Sequence, residues 1–73
     1  MPKLPVISGA DAVKAFERTG WRMDRQRGSH VVMLKADHIA SLSIPQHREL
    51  APGTLRSLIR ASGMSVEEFC NLL

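Results

Sequence analysis

A chain of 73 residues is enough for a single domain, and a domain that short buries only about 60% of its unfolded surface, which leaves no room for a large enclosed substrate cavity. The single Cys70 excludes an internal disulfide and a thiolate metal cluster, and no run approaches the ~20 apolar residues of a membrane span. Ten Lys and Arg against seven Asp and Glu give a net charge of +3 and a pI near 9.8, and the excess is concentrated between Arg22 and Arg60.

That stretch holds seven cations (Arg22, Arg25, Arg27, Lys35, Arg48, Arg56, Arg60) against three acids (Asp24, Asp37, Glu49). A basic surface on a small domain suggests a nucleic acid or an acidic partner, although composition alone fits a plain solvated surface better, and an open groove favours an extended or polymeric substrate. The start, Met1-Pro2-Lys3-Leu4-Pro5, lacks the apolar core of a signal peptide, so the chain reads as reduced, soluble and cytoplasmic, with Cys70 a small buried hydrophobe.

Residues 1–7 are expected to be extended, because Pro2 and Pro5 disfavour helix before them. Ser8 opens a helix with a capping box in which Asp11 replaces the usual Glu. Ala12, Val13 and Phe16 share its apolar face, and Gly20 stops it in a left-handed conformation. Trp21 to Gln26 alternates: Trp21, Met23 and Arg25 on one face, Arg22, Asp24 and Gln26 on the other. Arg27-Gly28-Ser29 turns the chain, and His30 to Lys35 forms a second strand. Lys35 to His38 turns it again. In a third strand, Ile39 to Ile44, Ala40, Leu42 and Ile44 point inward and Ser41 and Ser43 outward, and Pro45 ends it.

Gln46 to Ala51 is a connecting loop. Pro52 starts a helix with Leu55, Leu58 and Ile59 as its apolar stripe, closed by Gly63. Ser65-Val66-Glu67-Glu68 caps a last short helix, with Met64 and Phe69 placed as a hydrophobic staple. The predicted architecture is α+β in the order α-β-β-β-α-α, a three-stranded antiparallel sheet with helices on one face, spanning residues 1–73 as one domain.

His30 carries the chemistry of most interest. Imidazole titrates near pH ~6.5 and gives or takes a proton at neutral pH, and the arginines that flank it bind phosphate in a fixed fork. Within the second strand, residues 30, 32 and 34 share one face and 31, 33 and 35 the other. If Val31 and Met33 pack inward, His30 points to the open face; if Val32 and Leu34 do, it lies at the edge of the core.

Arg25 and Arg27 are candidate phosphate ligands, Gly28 offers a backbone N–H at a turn of positive φ, and Ser29 offers a hydroxyl. The same residues also fit an ordinary turn with solvated arginines. Ser29 and His30 point to opposite faces, which excludes a nucleophilic Ser-His pair. His47, in Pro45-Gln46-His47-Arg48, is a candidate second acid or base, and Lys35 and Arg48 are further candidate RNA contacts. His38 has no special claim. The three His, eight and nine residues apart, match no compact ligand motif, so no metal and no cofactor are expected. The helix start Pro52-Gly53-Thr54 and the pair Arg56 and Arg60 fit either an extension of the basic surface or plain solvation.

Taken together, these residues resemble the HicA toxin family, small mRNA interferases of type II toxin–antitoxin systems. Its Arg-x-x-Gly-Ser-His signature is matched by Arg25-Gln26-Arg27-Gly28-Ser29-His30, its Pro-x-His by Pro45-Gln46-His47, and its Gly-Thr-Leu-Arg by Gly53-Thr54-Leu55-Arg56. Gly20-Trp21 and the segment Gly63 to Phe69 also match, so the resemblance covers nearly the whole chain. The departure is Val31-Val32-Met33, where family members often carry another polar or aromatic residue. The resemblance implies a fold like a double-stranded-RNA-binding domain, His30 as the catalytic residue of an mRNA endonuclease, and a HicB-type antitoxin that covers the His30 face. The alternatives are a non-catalytic RNA-binding module of the same fold and a pure protein-interaction domain.

Overall fold

A computed structural model describes residues 3–73, so the extended conformation expected for Met1 and Pro2 lies outside the described residues. The elements run α1 (Gly9–Glu17), β1 (Arg22–Arg27), β2 (His30–Leu34), β3 (Leu42–Pro45), α2 (Pro52–Ala61) and α3 (Val66–Cys70), which is the expected α-β-β-β-α-α order. The three strands form an antiparallel meander in the order β1-β2-β3.

Helix α1 starts where the capping box predicts. The Asp11 N–H donates to Ser8 Oγ at 3.0 Å and the Ser8 N–H donates to Asp11 Oδ2 at 3.4 Å, so two N–H groups that the helix leaves unpaired are satisfied. The helix buries Ala12, Ala15 and Phe16, and Gly20 at φ 97° turns the chain into β1. Its first residue lies hard against the chain leaving β3: a Cβ on Gly9 would stand 2.0 Å from the Pro45 carbonyl oxygen. The Gly9 N–H donates to the His47 carbonyl at 3.0 Å, fixing the loop that follows β3.

Val31, Met33, Leu42 and Ile44 project from the sheet into a core shared with Phe16, Leu55, Ile59 and Phe69. Helix α2 begins with Pro52 in its first turn, where the missing N–H costs nothing, and buries Leu55, Leu58 and Ile59. Helix α3 repeats the capping box: the Ser65 N–H donates to Glu68 Oε1 at 2.9 Å and the Glu68 N–H to Ser65 Oγ at 3.0 Å. This sets Phe69 against Phe16, ring centres 5.0 Å apart, and the Arg18 guanidinium donates to the Leu72 carbonyl across the same junction. Cys70 is half-buried rather than enclosed, because α3 lies at the periphery and leaves its Sγ facing the Lys3 carbonyl at 3.8 Å.

Two further expectations are corrected. The third strand begins at Leu42, not Ile39, and includes Pro45 as its last residue. Met33 pairs with Leu42 as the final rung, so Ile39 and Ala40 have no strand to pair with; both are exposed, in a loop that turns through Asp37 at φ 66°. The second correction concerns β1. Its alternation is interrupted by a bulge, with consequences for the site.

Candidate nucleic-acid interface

The face on which His30 lies is decided by its neighbours. Val31 and Met33 belong to the core, so residues 30, 32 and 34 point to the side of the sheet that the helices do not cover, and His30 is exposed there. A strictly regular β1 in the same sheet would put Arg25 on the face of Trp21 and Met23, away from His30.

The pairing shows otherwise. Met23 lies opposite Met33, but the next rung is Arg25 opposite Val32, so Asp24 is an extra residue in β1. A bulge of one residue reverses the alternation beyond it. Trp21 is therefore buried on the helix side, while Arg25 and Arg27 turn to the open side with His30.

The hairpin tip fixes the nearest of these groups. Arg27 pairs with His30, leaving Gly28 and Ser29 as a two-residue loop. Gly28 has φ 58° and Ser29 has no positive φ, the pattern of a type II′ turn, whose twist matches that of the flanking strands. The Gln26 side-chain N–H donates to the Gly28 carbonyl at 3.1 Å, and the Gln46 N–H donates to the Ser29 carbonyl at 2.6 Å, so the tip is held from both sides.

On the far side of β2, Pro45 lies opposite His30 and Ser43 opposite Val32. The result is an open depression of about 460 Å³ lined by Arg25, Arg27, His30, Val32, Ser41 and Ser43. Asp24 pairs with Arg25 at 2.5 Å, and among the described residues no carboxylate pairs with Arg27. One imidazole and two guanidiniums thus face an open concavity, a combination that can hold a phosphodiester and move a proton beside it.

The other candidates lie elsewhere. Gly28 and Ser29 form the rim at the tip. Lys35 is at the opposite end of β2, roughly 16 Å along the strand at ~3.3 Å per residue, with its stem near Gly20. His47 and Arg48 are exposed in the loop after β3, outside the lining of the depression. His38 has a structural place that sequence reasoning missed: its ring meets that of Trp21 edge-on at 5.0 Å. Val32, Ser41 and Ser43 were also missed as site residues. The outward alternation of the two serines was legible, but not that the register sets Ser43 opposite Val32. Among the described residues no three His, Cys, Asp or Glu side chains gather as a metal site would require, and no helix is long and apolar enough to cross a membrane.

The sequence matches a family model described as "HicA toxin of bacterial toxin-antitoxin" over residues 9–64. The match runs from the first residue of α1 to the turn before α3 and includes every residue that lines the depression. Among curated proteins no sequence match was found.

Proposed function

The chain belongs to the HicA toxin family of bacterial toxin–antitoxin systems, and we propose that it is a metal-independent endoribonuclease that cleaves mRNA in the cytoplasm through His30. The observation that carries this reading is that His30 shares one open depression with Arg25 and Arg27. The guanidiniums bind the non-bridging oxygens of one phosphodiester and orient it against the imidazole. His30 takes the proton of the ribose 2′-OH. The 2′-oxygen attacks phosphorus, the bond from phosphorus to the 5′-oxygen breaks, and the leaving oxygen takes a proton from solvent. Charge that builds on the phosphate in the transition state is stabilised by the arginines already in place. The products are a 2′,3′-cyclic phosphate and a 5′-OH.

End-group analysis of the cut RNA tests the chemistry. Cyclic phosphate formed in the presence of a chelator is the expected result, and 3′-OH ends or an absolute need for added divalent metal would contradict it. Simple RNA binding without turnover would leave His30 without a role.

A HicB-type antitoxin is the partner this reading requires. The exposed arginines of β1 and the open His30 face favour an acidic antitoxin surface laid over the depression, which would stop RNA from reaching the imidazole. In such a complex His30 becomes buried and the nuclease is silent. A silent complex in which His30 stays solvent-open would refute steric blocking.

A further inference from the structure

The two sides of the depression differ in chemistry. The β1 side carries Arg25 and Arg27, which donate hydrogen bonds but accept none. The β3 side carries the hydroxyls of Ser41 and Ser43, which do both. Neighbouring strands lie about 4.8 Å apart, so the two sides stand roughly 10 Å from each other with His30 and Val32 between them.

The serine hydroxyls are also free. Those of Ser8 and Ser65 cap helices and that of Ser62 donates to the Ile59 carbonyl, whereas among the described residues those of Ser41 and Ser43, like those of Ser29 and Ser57, have no protein partner. Val32, only 7% exposed yet directed away from the helix-side core, forms an apolar floor between Arg25 and Ser43. Such a floor suits the C–H face of a sugar better than a charged phosphate.

The aromatic side chains complete the argument. Phe16, Trp21 and Phe69 are all buried on the helix side and the chain has no Tyr, so the open face offers a base no Phe, Trp or Tyr ring, and only the His30 imidazole and the arginine planes are there to stack on. With no large aromatic platform, recognition on this face rests mainly on phosphate and sugar.

We infer that Ser41 and Ser43 form a ribose-contacting wall, which hydrogen-bonds the 2′-OH groups of the bound strand while the arginines hold its phosphates. The inference rests on the nuclease reading above and adds positioning residues to it. A hydroxyl both donates and accepts, as the 2′-OH does, and that group is what separates RNA from DNA at a given site. The wall gives the surface a preference for RNA over DNA with little discrimination among bases.

The test uses the full chain with His30→Ala, so that binding is measured without cutting. Affinities for a single-stranded oligoribonucleotide and for the uracil-containing deoxy strand of the same sequence are compared in the presence and absence of Ser41→Ala and Ser43→Ala. The expected result is tighter binding of the ribo strand. Each hydroxyl lost should weaken ribo-strand binding about threefold to tenfold, as for a typical hydrogen bond, with the deoxy strand unaffected. Ser43→Thr, which keeps the hydroxyl on a strand that favours Thr, should restore the preference. Equal binding of both strands at the outset, or a ratio unchanged by the double alanine variant, would overturn the serine wall. Cleavage by the protein with His30 intact, assayed on the same ribo strand, shows separately whether the nuclease reading stands.

Discussion

Arg27 and His30 stand directly opposite each other at the last rung of the β1–β2 ladder, joined by the two-residue turn Gly28-Ser29. Directly paired strand residues have Cβ atoms about 4.5–5.5 Å apart, so the hairpin alone brings a guanidinium to an imidazole. Arg25 is different. It reaches the same face only because Asp24 bulges out of the strand. The site is thus a local hairpin with one member re-aimed by an extra residue.

The arginines should announce themselves in the salt dependence of RNA binding. Each phosphate contact on a single strand contributes about 0.7 to the slope of log K against log salt. Arg25→Ala and Arg27→Ala are each expected to flatten the slope by roughly that amount. Arg27→Ala should cost more in cleavage, since Arg27 is the cross-strand partner of His30. Titrations at several salt concentrations, with an unchanged slope as the contrary result, check this.

On the nuclease reading, Asp24 competes with RNA for Arg25. Its carboxylate lies 2.5 Å from the guanidinium on an exposed strand. Asp24→Asn should therefore tighten RNA binding about twofold to fivefold at low salt, while stability moves by less than about 1 kcal/mol, as expected for an exposed pair. Weaker binding by the variant would mean that Asp24 orients Arg25 rather than masks it.

Gly9 has no room for a side chain. A Cβ there meets the Pro45 carbonyl oxygen and the Gln46 Cα, both main-chain atoms that cannot swing aside. Gly9→Ala should destabilise the fold by about 1–3 kcal/mol, the usual cost of overpacking. At roughly 4–8 °C per kcal/mol for a domain of this size, thermal unfolding will detect it. Gly53→Ala, where nothing lies within 4 Å of the added carbon, is the control and should leave Tm unchanged or raise it.

Acid should weaken the C-terminal helix through one carboxylate. The Ser65 main-chain N–H, and after it the Ser65 hydroxyl, hold the Glu68 carboxyl below its ordinary value of 4.5. A carboxyl whose folded value is depressed stabilises the fold fully above its unfolded value, and that contribution is lost as pH falls through the folded one. Chemical unfolding at pH 7 and pH 3 should show a smaller acid loss for Glu68→Gln than for the parent, because the amide still accepts from the Ser65 N–H but does not titrate. Equal losses would remove Glu68 from the account.

Caps and turns were the most legible part of the sequence. Ser8 with Asp11, Ser65 with Glu68, Pro52, Gly20 and Gly63 each act within a few residues, and the structure uses every one as expected. The bulge was not legible. Past Met23, β1 reads Asp24-Arg25-Gln26-Arg27, polar on both faces, so no hydrophobic phase fixes which way each side chain turns. Ala40 misled in the opposite sense: with Ile39 before it, it continues the alternation of Leu42 and Ile44, but β2 is too short to pair with either residue. His38 against Trp21 depends on how a loop folds back, which local pattern does not carry. For the site, composition and the hairpin motif pointed to His30 and the arginines, whereas the β2–β3 register was needed to set Ser43 beside them.

The most direct test is to incubate the purified protein with a long mRNA in EDTA, beside His30→Ala. His30 is exposed, so the variant should keep the parent's fold and thermal stability. The account predicts cleavage by the parent and a loss of about 10²–10⁴-fold in the variant, the usual worth of a general acid or base. Cleavage by a folded His30→Ala variant at the parent's rate would contradict it.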